Sequence, residues 1–355
     1  MKIGLGLYRH MLTPENFRFA RQIGCTHIVA HLVDYFAGGQ LHGTDESTTW
    51  GVTQNQGKLW SEQELIDLKR SINRAGLELE AIENFDPSHW YDVLLDGPNK
   101  QQQLDDLKTI IERMGKAGIP VMGYNFSLAG VWGHVVGLWG RGEAESVAFR
   151  EPGSSEGPTD TPIPKGQIWN MVYDPDAEPG QIPAITHEQL WERVGDFLAA
   201  LVPVAEEAGV RLAAHPDDPP MPTLRGTPRL VYQPHLFQKL LNLHPSPANA
   251  LEFCLGTIAE MTEGDVYQAT EQYAGQGAIG YVHCRNIRGK TPHYDEVFID
   301  EGDIDMPRIL SILHTNQFDG VITPDHTPSL HCDAPWHAGM AYAVGYLRAA
   351  IQMLG

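Results

Sequence analysis

Short apolar runs alternate with longer segments of helical period along this chain, the pattern of repeated βα units and a parallel sheet. The first predicted strand is Lys2–Leu7, followed by a helix entered at Thr13-Pro14-Glu15, an N-cap with proline at the first helical position. The second strand lies near His27–Ala30, and its helix over Ser61–Ala75 opens on Ser61-Glu-Gln-Glu64, a capping-box pattern. A third strand, Glu78–Ile82, precedes a helix from about Asn99 to Ala117. The fourth, Val121–Tyr124, has its helix delayed until His187–Ala208.

Four further runs complete the pattern: Arg211–Ala214, Ala250–Phe253, Ile279–Val282 and Val321–Pro324. Their helices fall near Tyr232–Leu243, Asp265–Ala274, Met306–Thr315 and Ala338–Met353. Eight such units predict an α/β fold, a closed (β/α)8 TIM barrel forming a single domain over residues 1–355. An open doubly wound sheet would more often stop at five or six strands.

Two stretches break the rhythm. Residues 35–60 form an insertion after the second strand, and Trp132–Thr186 form a longer one after the fourth. The longer is rich in Gly, Pro, Glu and Ser, and Pro152-Gly-Ser-Ser-Glu-Gly-Pro158 reads as flexible loop. Insertions after barrel strands sit on the catalytic face, so residues 132–186 are expected to serve as a lid or an oligomer contact.

The last four strands each end on a metal-competent side chain: His215, Cys254, His283 and Asp325. Side chains at the carboxyl ends of successive barrel strands converge on one pocket. Two imidazoles, a thiolate and a carboxylate there make a divalent-metal cage, and the thiolate disfavours Mg²⁺ or Ca²⁺ against Mn²⁺, Fe²⁺, Co²⁺ or Zn²⁺. Taken singly, each residue has a plainer explanation, such as a bonded structural histidine or a small buried cysteine. Their equivalent positions on consecutive strands favour the metal.

Alternation along the strand puts His283 and Arg285 on one face and Cys284 on the other. Arg285 and Asn286 are therefore expected at the mouth, with Arg285 as a bidentate partner for a carboxylate. His326 is the candidate acid/base, since its ordinary pKa lies near ~6.5, and Arg285 is the second catalytic candidate. Asp217 either orients a ligand histidine or solvates its loop.

Charge sharpens the role of Arg285. Twenty-five basic against 45 acidic residues give 25 − 45 = −20, a field that repels nucleic acid and anionic membranes. An acidic substrate then needs local positive charge. No apolar run approaches the ~18 residues of a membrane helix, and the start of the chain reads as a strand rather than a signal peptide. Four cysteines in so long a chain do not suggest a disulfide framework. The expected setting is cytoplasmic, with a small-molecule substrate, no nucleic acid, no membrane, and a homo-oligomeric assembly.

At these residues the chain resembles the mannonate dehydratase family, xylose-isomerase-like barrel enzymes. The likeness is carried by Val202-Pro-Val-Ala-Glu-Glu-Ala-Gly-Val-Arg-Leu-Ala-Ala-His-Pro-Asp-Asp-Pro-Pro220, Phe253-Cys-Leu-Gly-Thr257, Tyr281-Val-His-Cys-Arg-Asn-Ile-Arg-Gly289, Pro324-Asp-His326 and Gly123-Tyr-Asn-Phe126. It spans about residues 60 to 330, interrupted after the fourth strand.

The resemblance implies a Mn²⁺-type site, with Fe²⁺ as the alternative, on His215, Cys254, His283 and Asp325, and His326 in the catalytic role. It implies dehydration of a sugar acid to a 2-keto-3-deoxy acid. Arg285, Asn286, Asn125, Glu83 and His89 are the candidate substrate contacts. The chain departs from the family pattern where a His-His pair is usual and Leu32-Val-Asp34 stands instead. It departs again at Ser88 beside His89, at Val131 in place of an acid, and at Trp336 or His337 in place of a tyrosine. A metal shell kept beside a changed substrate shell points to a related enzyme with an altered substrate or reaction. The alternatives are a sugar isomerase or epimerase on the same barrel, with Glu83 as base, and a non-catalytic sugar-acid-binding descendant.

Overall fold

The apolar runs become barrel strands because a parallel strand with helices outside and packed side chains inside is buried on both faces. In the computed structural model, which describes residues 1–37, 51–53 and 57–355, β1 (Lys2–Leu7), β2 (His27–Ala30), β3 (Glu78–Glu83) and β4 (Val121–Tyr124) follow the predicted bounds to within a residue. After β4 come β5 (His134–Gly140), β6 (Ala144–Arg150), β7 (Gln167–Ile168) and β8 (Met171–Val172). The barrel resumes with β9 (Arg211–Ala214). The small pair β10 (Thr223–Leu224) and β11 (Thr227–Pro228) follows, then β12 (Asn249–Cys254) and β13 (Ile279–His283). Strands β14 (Asn286–Lys290) and β15 (His293–Val297) precede the last barrel strand, β16 (Val321–Thr323). The closed parallel barrel runs β1-β16-β13-β12-β9-β4-β3-β2. Val29, Ala81, Val121, Ala213, Tyr281 and Val321 pack together as a separate buried cluster, one residue from each of six barrel strands.

Helices α1 (Pro14–Ile23), α2 (Glu62–Arg74), α3 (Pro87–Leu95), α4 (Lys100–Ala117) and α5 (His187–Ala208) come from the first half of the chain. Helices α6 (Leu236–Leu243), α7 (Leu255–Glu260), α8 (Val266–Gly275), α9 (Met306–Thr315) and α10 (Pro335–Gln352) come from the second. The capping box at α2 forms as its sequence predicts: Glu64 N donates to Ser61 Oγ at 3.2 Å and Ser61 N to Glu64 Oε2 at 2.8 Å. Helix α6 starts at Leu236, four residues later than expected, because Pro234 disfavours helical backbone at the residue before it. Helices α3 and α7 were not anticipated; α3 is capped by Asp86, whose Oδ1 accepts from Ser88 N at 2.9 Å.

The insertion after β4 is not simply irregular. Strands β5 and β6 form an antiparallel hairpin that joins β15 and β14 in the order β14-β15-β6-β5. Two insertions, one following β4 and one following β13, thus meet in one sheet. The insertion expected at 35–60 falls largely on residues 38–50 and 54–56, outside the described residues. Among the described residues no helix is long and apolar enough to cross a membrane.

Candidate active site

His215 follows β9, Cys254 and His283 close β12 and β13, and Asp325 lies two residues beyond β16. Donor atoms of His215, Cys254 and His283 all lie within 4.8 Å of one another. His215 Nδ1 is 2.6 Å from the carbonyl of Pro216, which can only accept, so Nδ1 donates there and Nε2 is left as the candidate ligand atom; the ring also shares a side-chain hydrogen bond with Cys254. The Nδ1 of His283 is buried, makes no hydrogen bond among the described residues and lies 3.8 Å from Asp325 Oδ1. Asp325 adjoins the three-residue cluster but is not one of its members.

The thiol of Cys254 completes the donor set. Burial would push its pKa up, but Arg285 and the imidazoles of His215 and His283 outweigh that and bring it down to about 5. Burial instead pushes Cys25 and Cys284 up to about 12. Cys284 is buried away from the pocket, as strand alternation requires.

A pair of buried acids lies alongside. His283 Nε2 is 3.3 Å from Glu83 Oε2 and 3.5 Å from Glu252 Oε1, and Tyr281 donates its hydroxyl to Glu83 at 3.2 Å. Burial and the Glu83 charge hold the Glu252 carboxyl well above the usual range. Burial works in the same direction on Glu83, but His31 and His283 overcome it and keep that carboxyl low. A β-carbon on Gly123 would collide with the Tyr281 hydroxyl and the Glu252 carboxylate, so glycine at that point of β4 makes room for the pair.

A cavity of about 180 Å³ opens above these groups, lined among others by Tyr8, His31, Tyr35, Glu83, Asn125 and His326. Glu83 and Asn125 therefore face it. Two further lining residues, Asn84 and Trp169, hold φ of +65° and +50°. For a bulky residue such as Trp169 that conformation is strained, and such strain concentrates at functional sites.

Three expectations are corrected. Arg285 is 2% exposed and does not line the cavity. Its guanidinium contacts Asp218, Glu296 and, at 3.1 Å, Glu260, while Nε is 3.6 Å from Asp325. It is spent on internal acids and is not free for a substrate carboxylate. Glycine at 256 permits this, because a β-carbon there would fall 2.5 Å from Arg285 Nε. Asn286 is likewise used up: Nδ2 donates to Ile299 O and Ile304 O, both at 2.9 Å, and Oδ1 accepts from Ile304 N at 3.0 Å. His89 sits within α3 with Nε2 3.1 Å from Lys58 O and its ring edge-on to Trp60, outside the cavity lining.

Asp217 does neither job expected of it. Its Oδ2 accepts from Leu230 N and Val231 N at 2.7 and 2.8 Å, and it pairs with buried Arg229. Its neighbour Asp218 is the one at the site, accepting from Tyr294 OH at 2.9 Å and from Thr257 Oγ1 at 2.9 Å.

His326 lines the cavity with its side chain 40% exposed. Its Nδ1 is 2.6 Å from Glu296 Oε2 and its Nε2 is 3.4 Å from Asp325 Oδ2. Burial opposes its charge, but Asp325 and Glu296 prevail and raise its pKa to about 9. The strand-end rule that picked out His215, applied to β2, would also have found His31. Its Nε2 lies 3.7 Å from Glu83 Oε1 and its ring 4.9 Å from that of Tyr8. Alternation back from Cys254 along β12 would have found Glu252. Nothing local in the sequence marks Glu296, which reaches the site from the inserted sheet.

Comparison with known proteins gives a consistent picture. A profile of the D-mannonate dehydratase (UxuA) family matches residues 21–146 and 180–354. The gap between the two segments lies within the insertion after β4. The mannonate dehydratase of Streptococcus equi subsp. zooepidemicus is 32% identical over 287 residues, covering 76% of this chain and 75% of that protein. Mannonate dehydratase 2 of Halalkalibacterium halodurans is 29% identical over 288 residues, covering 76% and 79%. The crystal structure of mannonate dehydratase from Streptococcus suis serotype 2 superposes with a TM-score of 0.79 at 26% identity, covering 100% of this chain and 93% of that one. An L-ribulose 3-epimerase structure matches with a TM-score of 0.56 at 15% identity over 99% and 95% of the two chains, a likeness of fold alone.

Proposed function

This chain belongs to the mannonate dehydratase family of hydro-lyases, and we propose that it dehydrates an aldonate-type sugar acid with a divalent metal at His215, Cys254, His283 and Asp325. One observation carries the reading: nitrogen, sulfur and nitrogen donors from three successive strand ends lie within 4.8 Å of one another. The donors fit a cation. His215 keeps Nε2 for a ligand bond, the Cys254 thiol ionises easily, and His283 keeps a buried nitrogen without a hydrogen bond among the described residues. Asp325 would supply the oxygen. The mixed set leaves Mn²⁺, Fe²⁺, Co²⁺ and Zn²⁺ open on donor chemistry, and it is the resemblance to the family that puts Mn²⁺ first, then Fe²⁺. When bound, such an ion supplies Lewis acidity to substrate oxygens and stabilises the developing enolate charge.

In the reaction the proton on the carbon alpha to the carboxylate is removed, and the neighbouring carbon–oxygen bond breaks. The hydroxyl leaves as water, and the resulting enol becomes a 2-keto-3-deoxy acid. His326 carries protons at the cavity mouth as the acid/base group. With Arg285 committed to internal acids, substrate polar groups fall to Asn125, His31 and Glu83 on the cavity wall. Purified protein supplied with Mn²⁺ and a full aldonate panel is expected to form a 2-keto-3-deoxy acid from at least one member. Formation from none overturns the reading.

A second reading has one observation in its favour. Glu83, Glu252 and His283 form another cluster of possible ligands, and a carboxylate-rich set suits a sugar isomerase or epimerase. Interconversion of sugar epimers without loss of water would select it.

A further inference from the structure

The sheet β14-β15-β6-β5 delivers one buried carboxylate to the proposed acid/base group. Glu296, on β15, is 3% exposed, and its Oε2 lies 2.6 Å from Nδ1 of His326. A carboxylate oxygen accepts from a ring nitrogen, so Nδ1 bears the proton, and Nε2, 3.4 Å from Asp325 Oδ2, is the nitrogen left to exchange protons with a ligand. The other carboxylate oxygen of Glu296 is held by Arg285 Nη1, and Ser146 on β6 donates to the Glu296 main-chain carbonyl at 2.7 Å. Glu296 is thus anchored by its side chain and its backbone. His326 is not: it lies beyond the end of β16, with its side chain 40% exposed. Left alone, such a ring would lose rotamer entropy at each approach to a productive orientation.

We propose that Glu296 is the positioning residue for His326, fixing its ring plane and tautomer so that Nε2 faces the substrate. This rests on the dehydratase reading of His326 and adds a role for the inserted sheet. The charged groups around the ring are Glu296, Asp325 and Arg285, and only Glu296 makes a short contact with Nδ1. A supporting carboxylate of this kind, when removed beside a metal-site histidine, typically costs 10–100-fold, which sets the scale expected here.

The test compares Glu296→Gln, Glu296→Ala and Tyr294→Phe with the wild type. Tyr294→Phe is the structural control: it removes the hydroxyl bonded to Asp218 from the same strand without touching His326. On the aldonate that the wild type dehydrates, Glu296→Ala is expected to lower kcat about 10–100-fold with KM within about threefold and metal content unchanged. Glu296→Gln, which keeps an acceptor oxygen, is expected to recover part of that loss. Tyr294→Phe is expected to lower the melting temperature with a much smaller loss of kcat than Glu296→Ala. A kcat for Glu296→Ala within twofold of wild type, while His326→Gln is inactive, overturns the positioning role and leaves the dehydratase reading standing. Equal losses of kcat, metal and melting temperature in Glu296→Ala and Tyr294→Phe also overturn it. A readout independent of turnover is the His326 Nδ1 proton in ¹H–¹⁵N spectra of the Zn²⁺-loaded protein. It is expected in the wild type and lost in Glu296→Ala; its absence from the wild type contradicts the proposal even if no aldonate reacts.

Discussion

The two walls of the cavity are built differently. The wall from β9, β12, β13 and β16 presents His215, Cys254, His283 and Asp325 at or just beyond strand ends, backed by the buried Arg285 network. The wall from β1 to β4 presents Tyr8, His31, Tyr35, Glu83 and Asn125, with Trp169 and Trp336 added from an insertion and from α10. Holding a cation needs donors fixed to within a few ångströms, which strand ends provide. Choosing a substrate depends on loop and helix-end residues, which change without disturbing the barrel. Val131 and Trp336, at two of the positions where the sequence is expected to depart from the family pattern, line this second wall.

The largest effect is expected where the walls meet. His326→Gln should lower kcat by about 10²–10⁴-fold, the usual worth of a positioned proton-transfer group, with metal content unchanged on metal analysis. Loss of metal along with activity would place His326 on the metal wall instead.

On that wall, Cys254→Ser should lower metal affinity by about 100-fold while far-ultraviolet dichroism stays as in wild type, because the barrel core does not depend on the site. Unchanged metal content would remove the thiolate from the donor set. The thiolate has its own signature in the metal-free protein. The folded pKa of Cys254, about 5, lies below the ordinary value, so the thiolate's contribution to stability is present at alkaline pH and lost as pH falls through about 5. The wild-type minus Cys254→Ser absorbance near 240 nm should therefore persist at neutral pH and vanish around pH 5. A midpoint near 9 would contradict the electrostatic account.

A smaller effect is expected on the second wall. Trp336→Ala should raise KM about tenfold, ~1.4 kcal/mol of binding, with kcat and metal content near wild type. A fall in metal content would show that the two walls are not separable.

The same contrast explains what the sequence disclosed. Barrel strands and capped helices are local signals, and the Ser61–Glu64 capping box and the run of donor-bearing strand ends could be read directly. Alternation placed Arg285 on the His283 side, but a two-residue period gives a face and not a depth. The acids that claim Arg285 come from residues 218, 260 and 296. Pairing of Ala148 with Asp295 joins strands far apart in the chain, so composition alone suggested a loop where a sheet forms. Asp217 and Asp218 are indistinguishable by spacing; the backbone amides of Leu230 and Val231 decide which of them turns away.

The most direct measurement is anomalous scattering from crystals grown with Mn²⁺. The expected result is one peak about 2.0–2.4 Å from a nitrogen of His215, the sulfur of Cys254 and a nitrogen of His283, with Asp325 turned toward it. A peak between Glu83 and Glu252, or none at full Mn²⁺ occupancy in solution, would contradict a cation held by the last four barrel strands.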